Sequence, residues 1–184
     1  ENTRRITGLV NKMLALSDAN SRTVIERNDD VPAIQIAAQA TEEQQIAQKE
    51  DVDFDMHIDS EAENIVLHTN LQQAVQALVL LLDNAQKFLH EKHPLAKMAK
   101  RGYVRLMVQK HGNMAEFVVE DTGIGIPKEE AEHIFEEFVQ LNEFYDGTGI
   151  GLPVARSIAR RLGGEVRLDT SYTPGARFIF SLPL

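Results

Sequence analysis

From Asp121 to Arg156 the sequence reads DTGIGIPKEEAEHIFEEFVQLNEFYDGTGIGLPVAR, a stretch with two glycine clusters. Gly123 and Gly125 follow the run FVVED, and Gly147, Gly149 and Gly151 lead into PVARSIARRLGG. Glycines where a strand or loop meets a helix let backbone N–H groups close on an anion, and the helix N-terminus adds favourable partial charge. That chemistry is phosphate binding. Either cluster alone is also what an ordinary tight turn uses. Asp121, at the edge of the first cluster, has a carboxylate that can accept a hydrogen bond from an exocyclic amine. The combination points to a purine nucleotide.

Such loops need a scaffold to hold them. The chain has 184 residues, 43% of them hydrophobic and 26% charged, enough to bury the core of one ordinary domain. A formal net charge of -9 argues against a protein that wraps nucleic acid or lies on an anionic membrane. There are no cysteines, which excludes disulfides, thiolate zinc sites and cysteine nucleophiles. Apolar runs such as ALVLLLDNA are too short to span a bilayer, and the first residue, Glu1, leads us to expect a piece of a longer protein.

Periodicity supplies the elements. Ile6, Leu9, Val10, Met13 and Leu14 make one face of a helix over residues 1–22, and 23–32 reads as a linker interrupted by Asn28-Asp29-Asp30 and Pro32. A helix from Ala33 to about Lys49 follows, then a strand at DFDMHID, and then a largely buried helix from Leu71. YVRLMVQKHGNMAEFVVED reads as a hairpin turning at His111-Gly112-Asn113. The acidic segment after the first glycine cluster is helix-like, and the helix beginning near Pro153 stops at Gly163-Gly164. A last hairpin turns at Pro174-Gly175. The expected fold is an α/β two-layer sandwich, a mixed and mostly antiparallel sheet with helices on one face, occupying residues 33–184.

Four motifs stand in order: DNAQKF (Asp83 to Phe88), DTGIG (Asp121 to Gly125), IFEEF (with Phe135 and Phe138) and GTGIGL (Gly147 to Leu152). On these motifs the chain, from about Val31 to Leu184, resembles the catalytic and ATP-binding domain of sensor histidine kinases. This is the Bergerat-fold ATPase family that also includes gyrase, Hsp90 and MutL. The helix containing ITGLVNKMLALSD is similar to the second helix of that family's dimerisation and phosphotransfer hairpin. The resemblance implies ATP and magnesium as cofactors. It implies that Asn84 binds the metal, that Lys87 reaches the phosphates and that Phe88 borders the base or ribose. It further implies that Asp121 takes the adenine amino group, with Gly123, Gly125 and Ile126 beside it. Phe135 and Phe138 would anchor a lid, VQLNEFYDG, whose Tyr145 covers the nucleotide. Gly147, Thr148, Gly149, Ile150, Gly151 and Leu152 would hold the triphosphate. Two alternatives stay open: Phe135 and Phe138 also suit one face of a core helix, and Lys87 also suits a solvated surface.

Two departures qualify the resemblance. The family's asparagine box usually opens with a second asparagine one helical turn before Asn84, where this chain has Leu80. Losing one neutral contact implies nucleotide binding weakened by a factor of a few to about tenfold. The family's phosphoacceptor histidine, followed by an acidic residue and a proline, has no counterpart; the nearest imitation is HEKHPL, whose His90 and His93 read as loop residues. The chain is therefore expected to bind ATP without phosphorylating itself. His57, His68, His111 and His133 lack metal-ligand spacing. The expected partners are a response-regulator receiver domain and, in the full-length parent, a second copy through the hairpin, with no nucleic acid and no direct membrane contact by this chain. The expected location is cytoplasmic, with the parent anchored in a membrane. The runner-up reading is a scaffold with a degraded pocket, motivated by Leu80. A hydrolase of the gyrase or Hsp90 kind would need a base to activate water, and Leu80 occupies that turn without supplying one.

Overall fold

The computed structural model describes residues 25–49, 52–92, 102–136 and 151–184. The helix expected over 1–22, Phe138, the lid with Tyr145, and Gly147, Thr148, Gly149, Ile150 and His93 lie outside the described residues. In chain order the elements are β1 (Asp29–Pro32), α1 (Ala33–Gln44), β2 (Val52–Ile58), β3 (Val66–Thr69), α2 (Leu71–Lys92), β4 (Gly102–His111), β5 (Met114–Asp121), α3 (Gly151–Arg161), β6 (Glu165–Leu168) and β7 (Arg177–Pro183).

Five strands form one sheet in the order β2-β4-β5-β7-β6, and β1 pairs with β3 in a separate ribbon. Only the β2–β4 pairing in the large sheet is parallel; the other three are antiparallel. This is the mixed, mostly antiparallel sheet expected from the sequence. Successive side chains on a strand alternate faces, so the pairing register writes the two layers row by row. Leu106, Val119, Phe178 and Leu168 align in one row, and Val108, Phe117, Phe180 and Val166 in the next. All of these pack into one core with Ile36 and Ala40 of α1, Leu78 and Leu81 of α2, and Val154 and Ile158 of α3. The rings of Phe117 and Phe180 lie 5.5 Å apart. On the opposite face Arg105, Glu120 and Arg177 stand in line across three strands. Nη2 of Arg177 lies 2.7 Å from the Glu120 carboxylate, so a carboxylate only 6% exposed is paired across the sheet.

The fold departs from expectation in four places. Residues 25–32, read as linker, lie against the domain. Ile25 joins the core, and Asp29–Pro32 pairs with Val66–Thr69, a strand that periodicity did not reveal. Asp29 caps α2, accepting a hydrogen bond from the Leu71 N–H at 2.9 Å, and Asn70 accepts from Gln73 at 3.0 Å. Proline ends β1, the position an edge strand tolerates. Helix α1 stops at Gln44 because Gln45 turns left-handed at φ 51. The acidic segment forms two short 3-10 turns, Lys128–Glu130 and His133–Phe135, in place of a helix. Helix α2 runs through Lys92, so the backbone at His90 is helical and not a loop.

Candidate nucleotide site

The alternation of β5 decides where Asp121 points. Ala115, Phe117 and Val119 face the helices, and Asp121 is next in that series, 1% exposed at the end of an apolar row. A carboxylate so placed must be hydrogen-bonded. The Gly123 N–H donates to its Oδ1 at 2.7 Å, closing an Asx turn, and the Ala176 N–H donates to the same oxygen at 3.4 Å. Gly123 is needed for space: a Cβ there would lie 2.7 Å from the Phe88 carbonyl carbon and 2.9 Å from Asp121 Oδ1. Gly125 is needed for conformation as well, at φ 73.

Helix α2 forms the other wall. Leu80, Asn84 and Phe88 are spaced four apart and so share one face. At one end of this stripe the Phe88 backbone meets Gly123. At the other, Leu80 Cδ2 lies 4.0 Å from the position of a Cβ on Gly151. The first glycine cluster and the last glycine of the second thus reach opposite ends of one helical stripe. Asn84, 8% exposed, lies between them. Its amide oxygen is a hard donor of the type magnesium uses beside phosphate and water. Among the described residues there is no group of three or more His, Cys, Asp or Glu that could hold a metal alone. A cation held through this amide would need further ligands of the same hard kind, such as phosphate oxygens and water.

The other expected site residues divide. The Lys87 Nζ lies 2.9 Å from Asp83 Oδ2, a half-buried pair one turn apart beside Asn84, so the lysine is held next to the stripe and not extended into solvent. The Phe88 ring is 2% exposed and belongs to the core, so this residue meets the first glycine loop through its backbone. Ile126 and Leu152 pack partly buried at the core's edge. Phe135, left open between core and lid anchor, is 9% exposed and packs edge-on against Phe178 at 6.2 Å. The Arg156 guanidinium lies 3.9 Å over its ring and pairs with Glu132 at 2.9 Å and Glu165 at 3.0 Å, tying the Phe135 turn to α3. The Arg156 hydrogen bond holds the Glu132 carboxyl below its usual range.

Sequence reasoning missed the support behind Asp121. Gly175, read as a turn residue, packs so closely on Asp121 that a side chain there would collide with its carbonyl oxygen. The Asp121 N–H donates to the Ala176 carbonyl at 2.9 Å, and the Tyr172 hydroxyl donates to the Asp121 carbonyl at 3.1 Å. Burial, with the Glu120 and Asp121 carboxylates nearby, pushes the Tyr172 phenol from 10.0 up to about 12. The folded chain keeps a proton there that the unfolded chain releases above pH 10, so this group's stabilisation is complete below that pH and is lost as pH rises towards about 12. Tyr172→Phe is expected to flatten that part of an alkaline denaturation profile. An unchanged profile would remove Tyr172 from the account of alkaline stability.

Comparison with known proteins agrees with this geometry. The profile of the family described as histidine kinase-, DNA gyrase B-, and HSP90-like ATPase matches residues 69–184. The chain is 43% identical over 108 residues to sensor protein RstB of Escherichia coli (strain K12), an overlap of 56% of this chain and 22% of that protein. It is 29% identical over 189 residues to sensor histidine kinase YclK of Bacillus subtilis (strain 168), covering 100% of this chain and 37% of that protein. It therefore spans well under two thirds of these relatives. Among solved structures, full-length ShkA in complex with AMPPNP superposes with a TM-score of 0.78 at 26% identity, over 97% of this chain and 36% of that one. The catalytic domain of histidine kinase ThkA superposes at 0.66 and 22% identity, over 84% and 94%, a likeness of fold. With the match covering most of the chain and both Gly123 and Gly151 next to one asparagine-bearing helix, the chain belongs to the histidine kinase-, DNA gyrase B- and HSP90-like ATPase family, as the ATP-binding catalytic domain of a sensor histidine kinase.

Proposed function

We propose that this chain binds magnesium–ATP in the cleft between Asp121 and α2, and presents the γ-phosphoryl group to a histidine on a helical hairpin. The phosphoryl group then passes to the receiver domain of a response regulator. The observation that carries the reading is the single α2 stripe, with Gly123 of the first glycine cluster at one end, Gly151 at the other and Asn84 between them. Asp121 takes the base amine, Asn84 would offer its amide oxygen to the metal, and Lys87 exchanges Asp83 for a phosphate oxygen. Magnesium, when bound, would screen the negative charge of the phosphates. The protein's own contribution is positioning and charge stabilisation, the usual means of catalysis in phosphoryl transfer.

Leu80 favours one competing reading, a scaffold with a degraded pocket that does not turn over ATP, because it places a hydrocarbon on the stripe one turn from Asn84. Incubating the chain with γ-labelled ATP and magnesium, together with a separately prepared histidine-bearing hairpin from a relative, separates the two. The expected result is label on the hairpin, abolished by Asn84→Ala. Intact ATP binding with no transfer to any such hairpin would overturn the kinase assignment and leave the scaffold.

A further inference from the structure

The loop between β6 and β7, residues 169–176, is built with more internal order than a connecting turn needs. Asp169 Oδ1 accepts hydrogen bonds from the Ser171 N–H at 3.0 Å and the Ser171 hydroxyl at 2.6 Å. Asp169 Oδ2 pairs with Arg177 Nη1 at 3.2 Å, and the Arg177 guanidinium lies 4.4 Å over the Tyr172 ring. The same guanidinium pairs at 2.7 Å with Glu120, the residue immediately before Asp121. The Tyr172 ring is thus held on one side by an arginine fixed to two carboxylates, and its hydroxyl reaches across 51 residues of sequence to the Asp121 carbonyl at 3.1 Å.

That carbonyl belongs to the peptide that opens the Asx turn. The turn's Gly123 N–H grips Asp121 Oδ1 at 2.7 Å, so the orientation of the opening peptide determines where the carboxylate's two oxygens lie. A tyrosine hydroxyl is a donor only while protonated, as an ordinary phenol is throughout the neutral range, and the raised pKa extends that range upward. An arrangement that only closed a hairpin would need no donor aimed at this one oxygen.

We propose that Tyr172 is a specificity-determining positioning residue: by holding the Asp121 peptide it aims the Asp121 carboxylate at the exocyclic amine of the base. The inference rests on the nucleotide reading above and deepens it. Tyr172 acts at the base end of the cleft, whereas Asn84 and Lys87 act from α2 on the phosphates. Removing the hydroxyl therefore weakens recognition of the amine and leaves the affinity for the rest of the nucleotide in place.

The test compares the unaltered chain with Tyr172→Phe, titrating each with ATP and with purine riboside 5′-triphosphate, which lacks the 6-amino group. The variant is expected to bind ATP about two- to tenfold more weakly, the range of one hydrogen bond, and to bind the analogue as before. Discrimination between the two nucleotides then falls by the same factor. Amide exchange at Gly123 without nucleotide is expected to quicken in the variant while the thermal midpoint stays close to that of the unaltered chain. Equal weakening towards both nucleotides would make Tyr172 merely structural, and no change towards either would make it irrelevant; both outcomes overturn the proposal while ATP binding stands. If the unaltered chain binds neither nucleotide, the nucleotide reading itself falls.

Discussion

Asp121→Asn is expected to abolish adenine-dependent binding while the chain stays folded. The asparagine keeps an oxygen for the Gly123 and Ala176 N–H groups, which both donate to Oδ1, so the Asx turn survives. The other carboxylate oxygen is replaced by an NH2 group, and a donor then faces the donor amine of the base. A hydrogen bond to a charged group contributes about 1.5–3 kcal/mol, and leaving a buried group unsatisfied costs about 1–3 kcal/mol more. Together these correspond to a loss of about a hundredfold or more in affinity. Calorimetric titration with ATP reads the loss, and a thermal melt checks the fold. A variant that binds ATP normally would sink the assignment of Asp121 to the base.

Gly175→Ala is expected to damage both stability and binding, although Gly175 lies far from every glycine cluster in the sequence. The added methyl would meet the Asp121 carbonyl oxygen and lie 2.9 Å from Oδ1. Both are held by neighbouring backbone, so the loop itself must move. Overpacking of this kind typically costs about 1–3 kcal/mol, which lowers the melting midpoint of a domain of this size by several degrees. The displacement also disturbs the Ala176 N–H and the Tyr172 hydroxyl, the two groups that bind Asp121 from this loop. ATP affinity is therefore expected to fall by about tenfold or more, on the scale of a charge-assisted hydrogen bond. Unchanged melting and unchanged binding would show that the loop relaxes freely and does not buttress the site.

The contrast between Asp121 and Gly175 shows where sequence reading runs out. Asp121 was legible because it ends a period-two apolar run and opens a glycine cluster. Asn84 stood out through the DNAQKF motif of the family the chain resembles, on a helix whose apolar length marked it as largely buried. The sheet's class followed from two hairpins with recognisable turns, the first confirmed by Gly112 at φ 59. Strands β1 and β3 were not legible. Each is four residues long, and β1 contains two aspartates and a proline that read as breakers, although Asp29 is there to cap α2. Lys128 to Phe135 has helical spacing, yet it breaks into separate 3-10 turns, and Arg156, a residue from another element, holds the second through Glu132 and Phe135.

The support behind Asp121 was hidden for a related reason. A tyrosine hydroxyl donating to a main-chain carbonyl, and a glycine required by another segment's backbone, leave no mark in local composition. Pro174-Gly175 carries an ordinary turn signature, and only tertiary contact brings Gly175 against Asp121. In the sequence, Leu80 reads as a lost polar contact. Only the structure shows that its hydrocarbon instead reaches towards Gly151 at the start of α3.

The most direct test of the central claim is a calorimetric titration of the unaltered chain with ATP, with and without magnesium. The account predicts saturable binding that magnesium strengthens, because the role proposed for Asn84 is to hold a cation that accompanies the phosphates. Absence of binding at millimolar ATP in the presence of magnesium would contradict it.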